Sequence, residues 1–238
     1  MLFRSYHSEV YRNLSWYLPN IIGNLHARQE WQLFHPLRIG DRACSRSTVV
    51  ERYRKRDRLY IVNEVLLVTP EGRWLQRSRT HQSFLATDPA GETVVDRGRE
   101  RRSDRRFEVP DGGGADLPRR VRRITPDVCM AFSGPSLNYH TDRESARALG
   151  FPDIVVQGMM TICFLADAMA ERFGPGWHAG GQLDVRLVNV VWVEDEITPR
   201  GAIREVLAEG ARERVVLDVW ATKADGTIAV VGTASALR

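Results

Sequence analysis

The stretch GMMTICFLADAMAERFG, Gly158 to Gly174, decides the architecture. Bounded by glycines and rich in Met, Ala and Leu, it reads as a helix of about four turns. Its apolar residues fall on nearly every face, so the helix must be surrounded, and a curved antiparallel sheet wrapped around it is the economical way to do that. A membrane span needs roughly 20 apolar residues; this run is shorter and Asp167 interrupts it.

Working outward, the region from Arg97 to Arg123 joins a charge run (RGRERRSDRR) to a glycine cluster (Gly112, Gly113, Gly114) and to Pro110 and Pro118. All of these are hostile to a packed element, so 97–123 reads as a linker between segments of comparable size. An ungapped shift of 154 residues lays Ile39, Gly40 and Asp41 on Val193, Glu194 and Asp195, Val62 on Val216, and Glu71-Gly72 on Asp225-Gly226. In each half an apolar run (Leu59 to Val68; Val215 to Thr222) meets a turn at the shared glycine and then a second strand (Trp74 to Ala86; Thr227 to Leu237), which makes an antiparallel meander. The first-half counterpart of the central helix is the shorter, more polar stretch from His7 to Leu18. A helix gripped by a long antiparallel sheet is the hotdog arrangement. The expectation is an α+β tandem, or double, hotdog with an N-terminal hotdog at 1–96, the linker at 97–123 and a C-terminal hotdog at 124–238.

With 238 residues, the chain is long enough to bury a sizeable core without disulfides or metal. Cys44, Cys129 and Cys163 are odd in number and carry no paired spacing, which points to a reducing, cytoplasmic compartment. The N-terminal MLFRSYHSEVYRNLSW is charged throughout and reads as neither signal peptide nor anchor. A net charge of +4 sets 34 basic against 30 acidic residues, and no nucleic-acid motif accompanies it. The expectation is a soluble protein without nucleic-acid or membrane partner, metal or cofactor. Monomer and homodimer are both compatible with a tandem.

Just before the helix lies FSGPSLNYHTDRESARALGFPDIVVQGMM, Phe132 to Met160. Thr141 followed by Glu144 has the spacing of a capping box, predicting a short helix from about Asp142 to Leu149 that stops at Gly150. His140 then sits on the loop outside it, the one group here whose ordinary pKa suits proton transfer both ways at neutral pH. The segment resembles the signature of the MaoC-like enoyl-thioester hydratases and dehydratases, approximately F-S-G-D-x-N-P-x-H-x-D, a short helix, then G-F-x-x-x-V-V-H-G-M. Phe132, Ser133, Gly134, His140, Asp142, Ala146, Gly150, Phe151, Val155, Val156, Gly158 and Met159 match in register. FHPLRIGDR, YRKRDRLYIVNE and the run after Gly72 resemble, less specifically, the N-terminal substrate-covering hotdog of two-domain members.

The resemblance implies an acyl-CoA or acyl-carrier-protein thioester as substrate, addition of water to a 2-enoyl chain or the reverse, His140 as acid/base, and one site per chain. It implies that backbone N–H groups of Gly158 and Met159 hold the thioester oxygen, as a helix start favours, with Gln157 and Tyr139 beside the substrate. The departures are Pro135 for Asp, Leu137 for Asn, Asn138 for Pro and Gln157 for His. Proline has neither a titratable group nor an N–H, whereas Asn138 and Ser136 can orient a water but not take its proton. Three explanations stay open: His140 acts as sole base with Asn138 or Ser136 placing the water, Asp142 joins the site, or the scaffold has turned to isomerisation, cyclisation or another tailoring reaction without water addition. A non-catalytic acyl-binding subunit is a further alternative. Arg52, Arg54, Arg56 and Arg58 read either as phosphate ligands of the carrier or as a solvated strand end.

Overall fold

A computed structural model describes residues 25–55, 58–85, 95–96, 109–110 and 114–238. The expected helix at His7–Leu18, Arg56 and the whole charge run of the linker lie outside them. The chain divides into two packed units, one taking residues up to Glu108 with His178–Asp184, the other Val109–Trp177 with Val185–Arg238.

In the first unit β1 (Leu25–Leu33), β2 (Cys44–Lys55), β3 (Arg58–Val68), β4 (Trp74–Leu85) and β5 (Val95–Asp96) lie in the order β5-β2-β3-β4-β1, antiparallel except for β5 on β2. The second unit holds β6 (Arg122–Arg123), α1 (Pro126–Ser133), α2 (Arg143–Ala148), α3 (Gly158–Phe173), α4 (Pro175–His178), β8 (Glu196–Glu209), β9 (Arg212–Lys223) and β10 (Ile228–Leu237). Its strand order runs β10-β9-β8-β6, with the end of β7 (Gln182–Leu187) beside β10. Residues 114–123, read from sequence as linker, are packed into this unit: Ala115 bridges Gly201, Leu117 is buried, and β6 pairs with β8. Gly and Pro mark where regular structure stops, and here they punctuate a segment that still buries its Leu.

The offset of 154 residues continues into the backbone. Gly72 N–H donates to Thr69 O and Thr69 N–H to Arg73 O; Gly226 to Lys223 O and Lys223 to Thr227 O repeat this one offset later. Asp41 Oδ2 accepts from Arg38 N at 2.8 Å, and Asp195 Oδ2 from Trp192 N at 2.8 Å. Gly40 has φ +92° and its counterpart Glu194 φ +70°, a left-handed turn held even where no glycine is present. The irregularity between Val49 and Glu51 recurs between Ile203 and Glu205.

α3 has the expected length, ends where Gly174 adopts φ +51°, and packs against β8, β9 and β10. Ile162, Leu165 and Met169 are fully buried, each worth about 1.5–3 kcal/mol in apolar area removed from water. Among the described residues no helix is long and apolar enough to cross a membrane. Cys129 and Cys163 are buried and Cys44 exposed, none in a disulfide; burial pushes the Cys129 thiol up to about 11.

Gly176 in α4 tests how tightly this unit closes. A Cβ there would stand 1.8 Å from the carbonyl oxygen of Leu237 at the end of β10, and backbone cannot swing aside as a flexible side chain can. Gly176→Ala is expected to cost about 2 kcal/mol by overpacking, seen as a Tm lower by roughly 4–8 °C. An unchanged melting curve would mean that α4 does not seal the sheet end.

Candidate functional site

The candidate loop is suspended between α1 and α2. Thr125 caps α1, with Pro126 in its first turn, and Gly134 closes the helix by donating to Met130 O. Only glycine fits there, since a Cβ would meet that same oxygen at 2.5 Å. At the other end Asp142, not Thr141, caps α2: its carboxylate accepts from Ser145 N at 2.7 Å. That bond holds the Asp142 carboxyl below the usual carboxylate range. The cap therefore falls one residue later than expected, without the reciprocal bond of a capping box, and Asp142 is engaged by its own helix.

Thr141 instead braces the loop. Its hydroxyl accepts from Asn138 N at 3.0 Å, and its proton faces the carbonyls of Ser136 and Asn138 at 3.1 and 3.2 Å. Asn138 is the hub: its Nδ2 donates to Ser133 O and Ser136 O, and its Oδ1 accepts from His140 N at 2.8 Å. Three of the four hydrogen bonds its amide can make are thus spent on the loop, leaving one lone pair. Ser136 is exposed, and so are Pro135 and Leu137.

His140 is anchored twice. Its ring nitrogen Nδ1 lies 2.7 Å from Val155 O. A carbonyl can only accept, so Nδ1 carries the proton and Nε2 keeps its lone pair. Burial pushes the His140 pKa down, opposed in part by the bond to Val155. Tyr139 covers the imidazole with ring centroids 3.9 Å apart, stacks on Phe151, and accepts from Val155 N at 3.1 Å. Burial also raises the Tyr139 phenol. The loop and Val155 are therefore bonded in both directions, one through each of two adjacent residues.

Val155 stands three residues before Gly158, so the carbonyl that holds the imidazole is within about 11 Å of the first residue of α3. At that helix start the N-cap residue Gln157, buried, makes no side-chain capping bond, and Met160 N bonds to Gln157 O. The first-turn N–H groups of Gly158 and Met159 are donors that a helix start leaves over, at its positive end. Among the described residues, no three His, Cys, Asp or Glu side chains cluster as metal ligands would.

The structure thus brings Ser136, Asn138, Tyr139 and His140 into one loop and ties it through Val155 to Gln157, Gly158 and Met159. Sequence reasoning missed Thr141 as a brace and Val155 as the group that sets the His140 tautomer. A backbone carbonyl leaves no residue-type signal, so Val155 could be found only as a matched position without a role. Of the four arginines, Arg58 donates to Ser83 Oγ and Ser83 O.

Residues 117–222 match the family model of the MaoC like domain. This stretch is a MaoC-like domain. It includes the whole candidate loop and all of α3. The chain is 27% identical over 166 residues to the peroxisomal hydratase-dehydrogenase-epimerase of Saccharomyces cerevisiae, covering 69% of this chain but 17% of that one. Among solved structures, a MaoC-like dehydratase from Phytophthora capsici aligns over 92% of this chain and 70% of its own at TM-score 0.67 and 18% identity. The full-length peroxisomal multifunctional enzyme type 2 of Drosophila melanogaster aligns over 96% of this chain and 40% of its own, at TM-score 0.65 and 16% identity. A Mycobacterium tuberculosis protein described as having a double hotdog fold covers 97% of this chain and 79% of its own at TM-score 0.57 and 14% identity. These likenesses give the hotdog fold.

Proposed function

We propose that the chain is a tandem of two hotdogs whose second, MaoC-like domain adds water to a 2-enoyl thioester, or removes it from a 3-hydroxyacyl thioester, carried by CoA or an acyl-carrier protein. One observation carries the reading: the His140 Nδ1–H bond to Val155 O, which leaves Nε2 as a base on a ring held to the segment leading into α3. In the hydration direction Nε2 takes a proton from water while the water oxygen bonds to C3. The double-bond electrons move to the thioester oxygen, where the N–H groups of Gly158 and Met159 stabilise the enolate. His140 then returns the proton to C2, so the site is restored. The Ser136 hydroxyl and the remaining lone pair of Asn138 orient the water; Tyr139 and Gln157 line the substrate.

The test follows the loss of conjugated-enoyl absorbance with CoA thioesters of several chain lengths in heavy-oxygen water. Hydration puts the label into the product. Turnover with unlabelled product would favour the second reading, isomerisation or cyclisation, for which one observation speaks: among the described residues no carboxylate bonds to His140, Pro135 stands at the family's Asp position and Asp142 caps α2. Thermal stabilisation by the thioester without turnover would leave only acyl binding.

The pH profile follows from the same ring. Its neutral form is the base, and burial favours that form. The acid limb of kcat/KM is therefore expected at a midpoint below the ordinary imidazole value of 6.5. The linked stability has the same sign. The unfolded chain binds the proton more readily, so stability falls as pH drops below 6.5 and through the lowered folded value. A limb at or above the ordinary value would assign the titration to another group.

A further inference from the structure

The 154-residue offset also allows one face of each sheet to be compared position by position. In the first unit Asn63 pairs with Thr80 and Ile61 with Gln82 across β3 and β4, and Gln29 of β1 pairs with Thr80 from the other side. Directly opposed residues share a face. Gln29, Asn63, Gln76 and Gln82 on it are fully buried, and Thr80 nearly so. One offset later, Asn63, Gln76, Gln82 and Thr80 correspond in the second unit to Leu217, Val230, Ala236 and Ala234, all buried. A face that is aliphatic in one unit is lined with amides and hydroxyls in the other.

Part of this polar lining satisfies itself. Gln29 Nε2 donates to Ser78 Oγ at 2.8 Å, and Thr80 Oγ1 donates to Gln29 Oε1 at 2.9 Å. Part of it does not: Trp31 Nε1 and both polar atoms of the Gln82 amide are buried with no hydrogen-bond partner. Trp31 opposes Ser78 and so lies on this face. An orphaned buried donor or acceptor is destabilising, and the second unit shows that aliphatic residues fill these positions. None of the described residues on this face of β1, β3 and β4 is Asp, Glu, Lys or Arg, and His26, opposite Gln82, is kept neutral by burial with a pKa down at about 4. The unmet hydrogen-bonding capacity is therefore neutral: the indole N–H of Trp31, the amide of Gln82 and the ring nitrogens of His26.

We propose that this face of the first unit binds an uncharged, oxygen-bearing group, a hydroxyl or ketone in the acyl chain of the thioester, with Trp31 and Gln82 as its donors and Gln82 Oε1 accepting from a hydroxyl. The assignment to an acyl chain rests on the thioester reading above; the polarity of the face does not. It follows that the preferred chain is an oxygenated one, of the kind left by reactions that keep hydroxyl or keto groups along a growing chain, rather than plain hydrocarbon.

The test measures binding of saturated octanoyl-CoA and of octanoyl-CoAs hydroxylated at successive carbons from C4 outward, none of which the proposed reaction can hydrate or dehydrate, to wild type, Gln82→Ala and Trp31→Phe. At least one hydroxylated thioester is expected to bind roughly tenfold or more tighter than octanoyl-CoA, and Gln82→Ala is expected to abolish that preference. The Tm of Gln82→Ala should stay level or rise, because the variant removes an unpaired buried amide. Equal affinities in wild type, or a preference that survives both substitutions, would overturn the proposal. So would a lower Tm for Gln82→Ala, which would give the amide a structural partner. Coenzyme A alone is the remaining arm: if Gln82→Ala weakens it as much as it weakens the hydroxyacyl-CoA, the face serves the amides of the carrier and the acyl assignment falls. Turnover plays no part in these readings, so a failure of enoyl hydration leaves the inference standing, and its own failure leaves hydration untouched.

Discussion

Replacing His140 with alanine is expected to lower kcat/KM toward 2-enoyl thioesters by roughly a hundred- to ten-thousand-fold, the usual worth of a positioned acid/base group. The expectation depends on which nitrogen is protonated. With Nδ1–H bound to Val155 O, the ring is held as the tautomer that presents a basic Nε2, and burial keeps it neutral. Alanine removes the base and also strands the Val155 carbonyl, so a loss of activity alone would not separate chemistry from loop collapse. His140→Asn does separate them. The Asn Nδ2 sits about where Nδ1 does and can donate to the same carbonyl, but nothing replaces Nε2. The asparagine variant should match alanine in lost turnover while melting closer to wild type. Near-wild-type turnover by His140→Asn would show that the residue anchors the loop and that the proton moves elsewhere.

How much of the molecule is readable in its sequence differs by element. α3 is legible to within a residue because its signals are local: a glycine at each end and apolar residues on nearly every face. The repeat is legible at Asp41 and Asp195 because an Asp that caps its own turn is a side-chain requirement written into residue type. At Glu194 the same turn persists without glycine, and only the surrounding match reveals it. The cap of α2 falls one residue from its expected place because Thr141 and Asp142 are both good capping residues and adjacent. What decides between them is the set of carbonyls around Thr141, which the conformation of the preceding loop supplies and residue type does not. The link from His140 to Val155 joins a side chain to a backbone oxygen fifteen positions away, and any residue supplies that oxygen. Composition can suggest that a histidine works; the tautomer it works in is a property of the folded loop.

Asn138 gives the second large effect, and its sign across two variants distinguishes two roles for one side chain. If Asn138 serves chiefly to orient water, Asn138→Asp should keep or raise activity, because a carboxylate orients water as well and can also accept its proton. The hydrogen bonds of the amide point to a larger role beside that one. Both Nδ2 hydrogens go to the carbonyls of Ser133 and Ser136, and Oδ1 receives the backbone N–H of His140. Asp retains that last bond but turns an acceptor toward two carbonyl oxygens that need donors, a repulsive contact in a partly buried loop. Asn138→Ala and Asn138→Asp are both expected to lose roughly a hundredfold in kcat/KM, the cost of displacing an acid/base group by about 1 Å. They should also lose about 1–3 kcal/mol of stability from the orphaned groups, or roughly 2–4 °C of Tm per kcal/mol. Activity and Tm should fall together in both variants, since the loop that presents His140 is the loop that the amide holds closed. An aspartate variant as fast and as stable as wild type would return Asn138 to the water and leave the geometry of His140 resting on Val155 alone.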